Sequence, residues 1–190
     1  MSRKLANYDD THDRVWEPKE MSEYLNIVSR TITRGRVHGE NEPPRPALDT
    51  AIQTKNLSDS IILPVDFHPQ TAVVAYFVLY FRNPRGYTDY PIGKFDIFLD
   101  SQKLGAIDLV RDWNSTNFLV SFYPVQVNGA ANIIISATND SELVPLLNAM
   151  EVFSVVNMTY ASMAGYLPNS SIPLCFIIIF HLLAIIVFVI

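Results

Sequence analysis

The 190 residues carry a formal charge of −5, are 49% hydrophobic and include a single cysteine, Cys175. That length accommodates one domain with a sizeable core plus an appendage. The mild acidity argues against nucleic acid as a partner, and one cysteine rules out an intrachain disulfide framework or a thiolate metal cluster.

Residues 1–46 are polar, with basic residues among turn formers at Arg30–Gly39 and a proline cluster at Asn41–Pro46. The opening MSRKLANYDD has no apolar run behind its basic residues, so it is not a signal peptide. Lys19–Val28 (KEMSEYLNIV) is expected to make one or two helical turns and no more. From Ala47 onward the pattern changes to short apolar runs punctuated by turn residues. Ala47–Thr54 alternates weakly. Val73–Phe81 (VVAYFVLYF) is β-branched and aromatic on both faces, which predicts a strand buried on both sides. Lys94–Asp100 places Phe95, Ile97 and Leu99 on one face and Asp96, Phe98 and Asp100 on the other, with Ser101–Gly105 read as the turn that follows. Phe118–Val127 and Asn132–Thr138 are predicted strands separated by the turn signal Asn128–Ala130, and Leu146–Val155 closes the globular part. Turn signals about every ten residues predict a mainly β fold, an antiparallel β-sandwich or jelly roll, with a C-terminal apolar helix. The expected division is a lead-in over 1–46, a sandwich over 47–156, a linker over 157–171 and an apolar segment over 172–190.

That last segment contains Leu174–Ile190 (LCFIIIFHLLAIIVFVI), apolar on every face and followed by no basic flank. As a helix it would extend about 25 Å against a hydrocarbon core of about 30 Å, and it would just span if Ile172 and Pro173 are drawn in. Two readings remain. One is a single membrane-spanning helix of a receptor that stops there. The other is a lipid-anchor signal, with attachment at Ser162, a small Ala164 two residues on, and Gly165–Pro173 as spacer. Asn-x-Ser/Thr sequons at Asn56, Asn114, Asn139, Asn157 and Asn169 favour exposure to the secretory lumen and glycosylation; the alternative is a set of asparagine-rich turns.

Catalytic patterns are absent from the sequence. There is no G-x-S-x-G, no glycine-rich phosphate loop, and no cysteine outside the tail. The cluster Tyr8–Asp13 (YDDTHD) fits neither a calcium loop nor a zinc pair, so it reads as a turn or cap. Asp96 and Asp100 would lie about 13 Å apart along one strand, too far for a glycosidase pair acting from one strand. The chain is therefore expected not to be an enzyme, with no cofactor and no metal. Binding is the better prospect, because flat aromatic faces beside planar polar groups suit a sugar. Tyr87, Asp89 and Tyr90 in the loop Arg82–Gly93, with Trp113 in Arg111–Thr116, are the candidate ligand-binding residues. The plainer alternative has these aromatics packing over strand edges.

Four segments, Tyr8–Pro18, Phe77–Asn83, Lys94–Gly105 and Glu142–Val155, come in the order and spacing of the plant malectin-like domain. The chain resembles that family in Asp13-Arg14-Val15-Trp16, in Phe95-Asp96-Ile97-Phe98-Leu99-Asp100-Ser101, and most specifically in the closing Pro145-Leu146-Leu147-Asn148-Ala149-Met150-Glu151. The resemblance implies a β-sandwich from the ectodomain of a receptor kinase, in which two such folds usually stand in tandem. The D-R-x-W segment near the start would make this the second of the two, with the first fold and a signal peptide expected upstream. Phe81 is followed by Arg82-Asn83 rather than by the acidic continuation common in the family, and no binding residue carries over. The implied function is non-catalytic recognition at the outer face of the plasma membrane, by a receptor or co-receptor domain binding cell-wall carbohydrate or a secreted peptide or protein. The alternative is a receptor fragment or structural interaction module with no ligand of its own.

Overall fold

The computed structural model describes residues 17–19, 21–28, 43, 45–67, 72–82, 93–109, 117–155 and 182–189. Four strands form one sheet in the order β4-β9-β6-β7: β4 is Ser60–Asp66, β6 Lys94–Leu99, β7 Gln102–Asp108 and β9 Ala130–Ala137. A second sheet has the order β1-β12-β11-β5-β8, with β1 Glu17–Pro18, β5 Ala72–Arg82, β8 Asn117–Asn128, β11 Ala149–Val155 and β12 Leu182–Val189. A small third sheet, β10-β3-β2, joins Leu146–Leu147, Thr50–Gln53 and Leu25–Val28. Every pairing is antiparallel except β1 with β12. The mainly antiparallel β architecture expected from the sequence is the one found.

Period-two patterning explains the four-stranded sheet. β4 and β6 bury every second residue, so Ile61, Leu63 and Val65 face inward with Phe95, Ile97 and Leu99, while the alternate residues face out. Ile133 and Ile135 of β9 complete that inner face. Opposite them stand Ala75, Phe77, Leu79 and Phe81 of β5, Met150 and Val152 of β11, and Val125 and Val127 of β8. Phe81 meets Phe95 across the two sheets at one end, with ring centroids 6.3 Å apart. Phe67 stands edge-on to Phe77, with centroids at 6.2 Å, towards the other end.

From Phe77 to Arg82, β5 is buried on both faces, as its unbroken apolar run predicts. The cover on its outer face comes from a short helix, α1 (Arg45–Asp49), whose Ala47 and Leu48 pack with Val78, Tyr80, Ala149 and Phe153. The weak alternation of Ala47–Thr54 therefore conceals a helical turn followed by β3. Further differences have local causes. Within Lys19–Val28, residues 21–24 make a turn that leads into β2, because antiparallel pairing with β3 satisfies the backbone better than an isolated helical turn would. The turn after β6 is confined to Asp100–Ser101, and β7 begins at Gln102. Asp100 takes the left-handed φ of 50°, and its carboxylate accepts hydrogen bonds from the backbone and side-chain nitrogens of Asn132, at 2.9 and 3.2 Å. β4, a strand not foreseen from the sequence, carries Pro64 on an edge facing away from β9's neighbours.

The expected C-terminal apolar helix is not found. Leu182–Val189 is strand β12, antiparallel to β11 from Ala149↔Val189 to Val155↔Leu182. Ile185, Ile186, Val187, Phe188 and Val189 are strand formers, and an all-apolar stretch suits a strand within a sheet as well as a helix within a membrane. Pairing here covers the β11 edge that would otherwise present open backbone groups. Among the described residues no helix is long and apolar enough to cross a membrane. Residues 172–181 and Ser162 lie outside the described residues.

Candidate functional site

The two ends of the sandwich are built differently. At one end two of the connections are tight. Asp100–Ser101 joins β6 to β7, and Gly129 alone, at φ 69°, passes the chain from β8 in one sheet to β9 in the other. Phe67 donates its backbone N–H to the Gly129 carbonyl at 3.3 Å, which ties down that corner. At the opposite end the chain crosses between sheets through residues 83–93 and again through 109–116. Both crossings rise from neighbouring strand ends. Arg82 and Asn117 are cross-strand partners on β5 and β8, and Lys94 and Asp108 are partners on β6 and β7. Beyond the latter pair, the Leu109 N–H donates to the Gly93 carbonyl at 2.7 Å.

This loop end is braced by a polar frame. Arg82 is 4% exposed and donates to the Asp49 carboxylate at 2.7 Å, fastening α1 to the end of β5. Asn148 is buried between β10 and β11 and bonds three ways. Its Oδ1 accepts from the Arg82 N–H at 2.6 Å, and its Nδ2 donates to the carbonyls of Leu48 at 3.1 Å and Thr50 at 2.8 Å. A side-chain amide supplies an acceptor and two donors on one planar group, which suits the asparagine of the closing motif to this position. Three residues on, buried Glu151 accepts from the Tyr80 hydroxyl at 3.3 Å.

On the β9 side, Thr138 donates its N–H to the Lys94 carbonyl at 3.0 Å, and Lys94 pairs with Asp140 through a short charge-assisted bond. That bond, with a second from the Thr138 hydroxyl, lowers the Asp140 carboxyl from 3.8 to about 2. The backbone of Lys94 donates to the Ser141 Oγ at 3.1 Å, and Ser141 donates onward to the Leu143 carbonyl at 2.8 Å. A Cβ at Gly93 would approach Leu143 Cδ1 to 2.9 Å, so a side chain there would require Leu143 to shift.

The candidate ligand-binding residues Tyr87, Asp89, Tyr90 and Trp113 lie outside the described residues, as do Asn114, Asn157, Asn169 and the cluster Tyr8–Asp13. The structure does bring together the strand ends from which their segments depart. Arg82, read in the sequence as part of the loop, belongs instead to the frame. Asp96 faces Lys103 on the neighbouring strand at 2.8 Å and Asp100 locks its turn, so both carboxylates have structural partners. The roles of Asn148 and Arg82 escaped sequence reasoning. The one sign of them is polar residues standing directly against unbroken apolar runs.

The sequence profile of the malectin-like domain matches residues 1–155. The chain belongs to the malectin-like domain family. It is 28% identical over 156 residues to the receptor-like protein kinase At5g59670 of Arabidopsis thaliana, an alignment covering 80% of this chain and 18% of the relative. It is 26% identical over 157 residues to the probable leucine-rich-repeat receptor-like serine/threonine-protein kinase MEE39 of the same plant, covering 78% of this chain and 17% of that one. The chain thus spans less than a third of the length of the curated relatives it matches. Among solved structures, the ANXUR2 extracellular domain from Arabidopsis thaliana superposes with a TM-score of 0.51 at 12% identity, covering 72% of this malectin-like chain and 42% of that ectodomain. The receptor-like kinase ANX2 superposes equally well at 13% identity. Both likenesses are of fold.

Proposed function

We propose that this malectin-like chain is a non-catalytic recognition domain of a cell-surface receptor or co-receptor, displayed outside the plasma membrane and binding a cell-wall glycan or a secreted peptide or protein. The observation that carries the reading is the family match over residues 1–155, joined to a sandwich that concentrates its long sheet-to-sheet crossings at one braced end. A rigid two-sheet body with variable connections at one end is the arrangement on which binding loops are presented. The kinase activity in the relatives' names belongs to sequence beyond the shared part, which is 17–18% of their length. We assign ligand contact to Tyr87, Asp89, Tyr90 and Trp113. Membrane attachment, either by residues 172–190 as a single span or by a lipid at Ser162 that replaces them, requires β12 to leave β11.

The test is binding of the full chain, secreted behind a leader, to a cell-wall oligosaccharide array and to a secreted-peptide library. Binding that falls in Tyr90→Ala or Trp113→Ala supports the reading. A second reading is a receptor fragment or structural interaction module with no ligand binding of its own. Absence of binding in both formats selects that second reading.

A further inference from the structure

Two of the glycosylation sequons fall on described residues, and both stand at the loop end. The strand register places them there: Ser60 of β4 pairs with Ser136 of β9, and Asp96 of β6 pairs with the same Ser136. Asn56 lies four residues before Ser60, and Asn139 three residues after Ser136, so both project past one edge of the four-stranded sheet. Both are exposed. Their surroundings differ in an instructive way. At Asn56 the side-chain amide donates to Asp59 Oδ2 at 2.9 Å, while the sequon hydroxyl, on Ser58, belongs to an exposed residue. At Asn139 the asparagine is on the turn surface, but the sequon hydroxyl on Ser141 is buried, accepting from the Lys94 N–H and donating to the Leu143 carbonyl.

Glycan transfer uses that third-position hydroxyl, which must face the transferring enzyme. In the folded domain Ser141 has both hydrogen-bonding directions committed inside the protein. We infer that Asn139 is an N-glycosylation site modified only before the 138–143 turn closes on β6, whereas Asn56 remains a substrate after folding. In the step, Asn139 Nδ2 bonds to the anomeric carbon of a polyprenyl-diphosphate-linked oligosaccharide. The anomeric C–O bond breaks, its electron pair leaves with the lipid diphosphate, and one amide proton passes to a base of the transferase. Once attached, the glycan stands one residue beyond Thr138, whose N–H bonds the Lys94 carbonyl. It therefore flanks the strand that leads out of the 83–93 crossing. The Ser141 bonds close behind it and are undisturbed, because they involve the hydroxyl and not the asparagine.

This inference rests on the extracellular placement proposed above, and the experiment separates the two. The full chain is secreted from plant cells behind a leader, and occupancy at each sequon is read by mass spectrometry after peptide-N-glycosidase treatment in heavy-oxygen water. In parallel, the glycan-free chain is incubated with a purified oligosaccharyltransferase and its lipid-linked donor, once folded and once in urea tolerated by the enzyme. Expected are an occupied Asn139 in the secreted chain, at least tenfold less transfer to Asn139 in the folded chain than in the unfolded one, and similar transfer to Asn56 in both. Glycan at other sequons but none at Asn139, or equal transfer to folded and unfolded Asn139, overturns the inference and leaves the placement standing. No glycan on any sequon overturns both. Asn139→Gln, which keeps Ser141, controls for the assignment without disturbing the buried hydroxyl.

Discussion

The two ends of this sandwich use the chain in opposite ways. At the tight end, Gly129 alone carries the chain from sheet to sheet, and Asp100–Ser101 closes a hairpin whose carboxylate is bound to Asn132. The chain also leaves this end after Val155 and returns at Leu182. At the loop end, the strand ends that lead into residues 83–93 and 109–116 are fixed by a frame of Arg82, Asp49, Asn148 and Lys94. Short connections with left-handed residues set register and serve stability, whereas long connections over a rigid base leave side chains free for contact. The lesson is that damage at the tight end or in the frame should lower stability, and changes in the crossings should lower recognition alone.

Removing residues 182–190 tests the comparison most severely, because β12 pairs along the whole of β11. At roughly 0.5–1.5 kcal/mol net per lost backbone bond, the truncation should cost about 5 kcal/mol in urea unfolding. An unchanged midpoint would show that the segment contributes nothing to the sheet and is available to a membrane. Asn148→Ala strips the frame of its shared amide, which the buried Arg82 N–H and Leu48 carbonyl both use. The expected loss is about 3 kcal/mol by the same measurement, since an abandoned buried polar group costs about 1–3 kcal/mol. Tyr90→Ala and Trp113→Ala should leave the thermal midpoint in place and weaken ligand binding at least tenfold, about 1.4 kcal/mol. A fall in stability instead would identify these rings as edge packing.

Gly129→Ala offers a cleaner probe of the tight corner. A Cβ there meets nothing within 4 Å, so the expected cost of about 1 kcal/mol comes only from the left-handed backbone. The smallest effect is at the rim of the loop end. Lys94 holds the Asp140 carboxyl below its unfolded value, so the stabilisation is present above pH 3.8 and is lost as the pH falls towards about 2. Carbon NMR should give an Asp140 titration midpoint near 2, rising towards 3.8 in Lys94→Met. The side chain is exposed, and global stability should scarcely respond.

The apolar run Val73–Phe81 and the alternation in Lys94–Asp100 carried enough signal to locate β5 and β6, because burial pattern is a local property of a strand. The same signal was silent on α1, since five residues ending in Ala47-Leu48-Asp49 have too little period to separate a helical turn from a strand. It was misleading for Leu182–Val189, where an apolar run fits a membrane helix or a sheet strand equally well and the free edge of β11 is the deciding partner. For the site, the sequence alone determined the β-sandwich class, the family motifs and which connections are rich in aromatic and polar residues. Only the tertiary structure decided that the strand ends leading into 83–93 and 109–116 share one end, that Arg82 belongs to the frame there, and that Ser141 is locked while Asn139 is exposed. Those outcomes depend on pairings between residues tens of positions apart, such as Asn148 with Thr50, which no local pattern encodes.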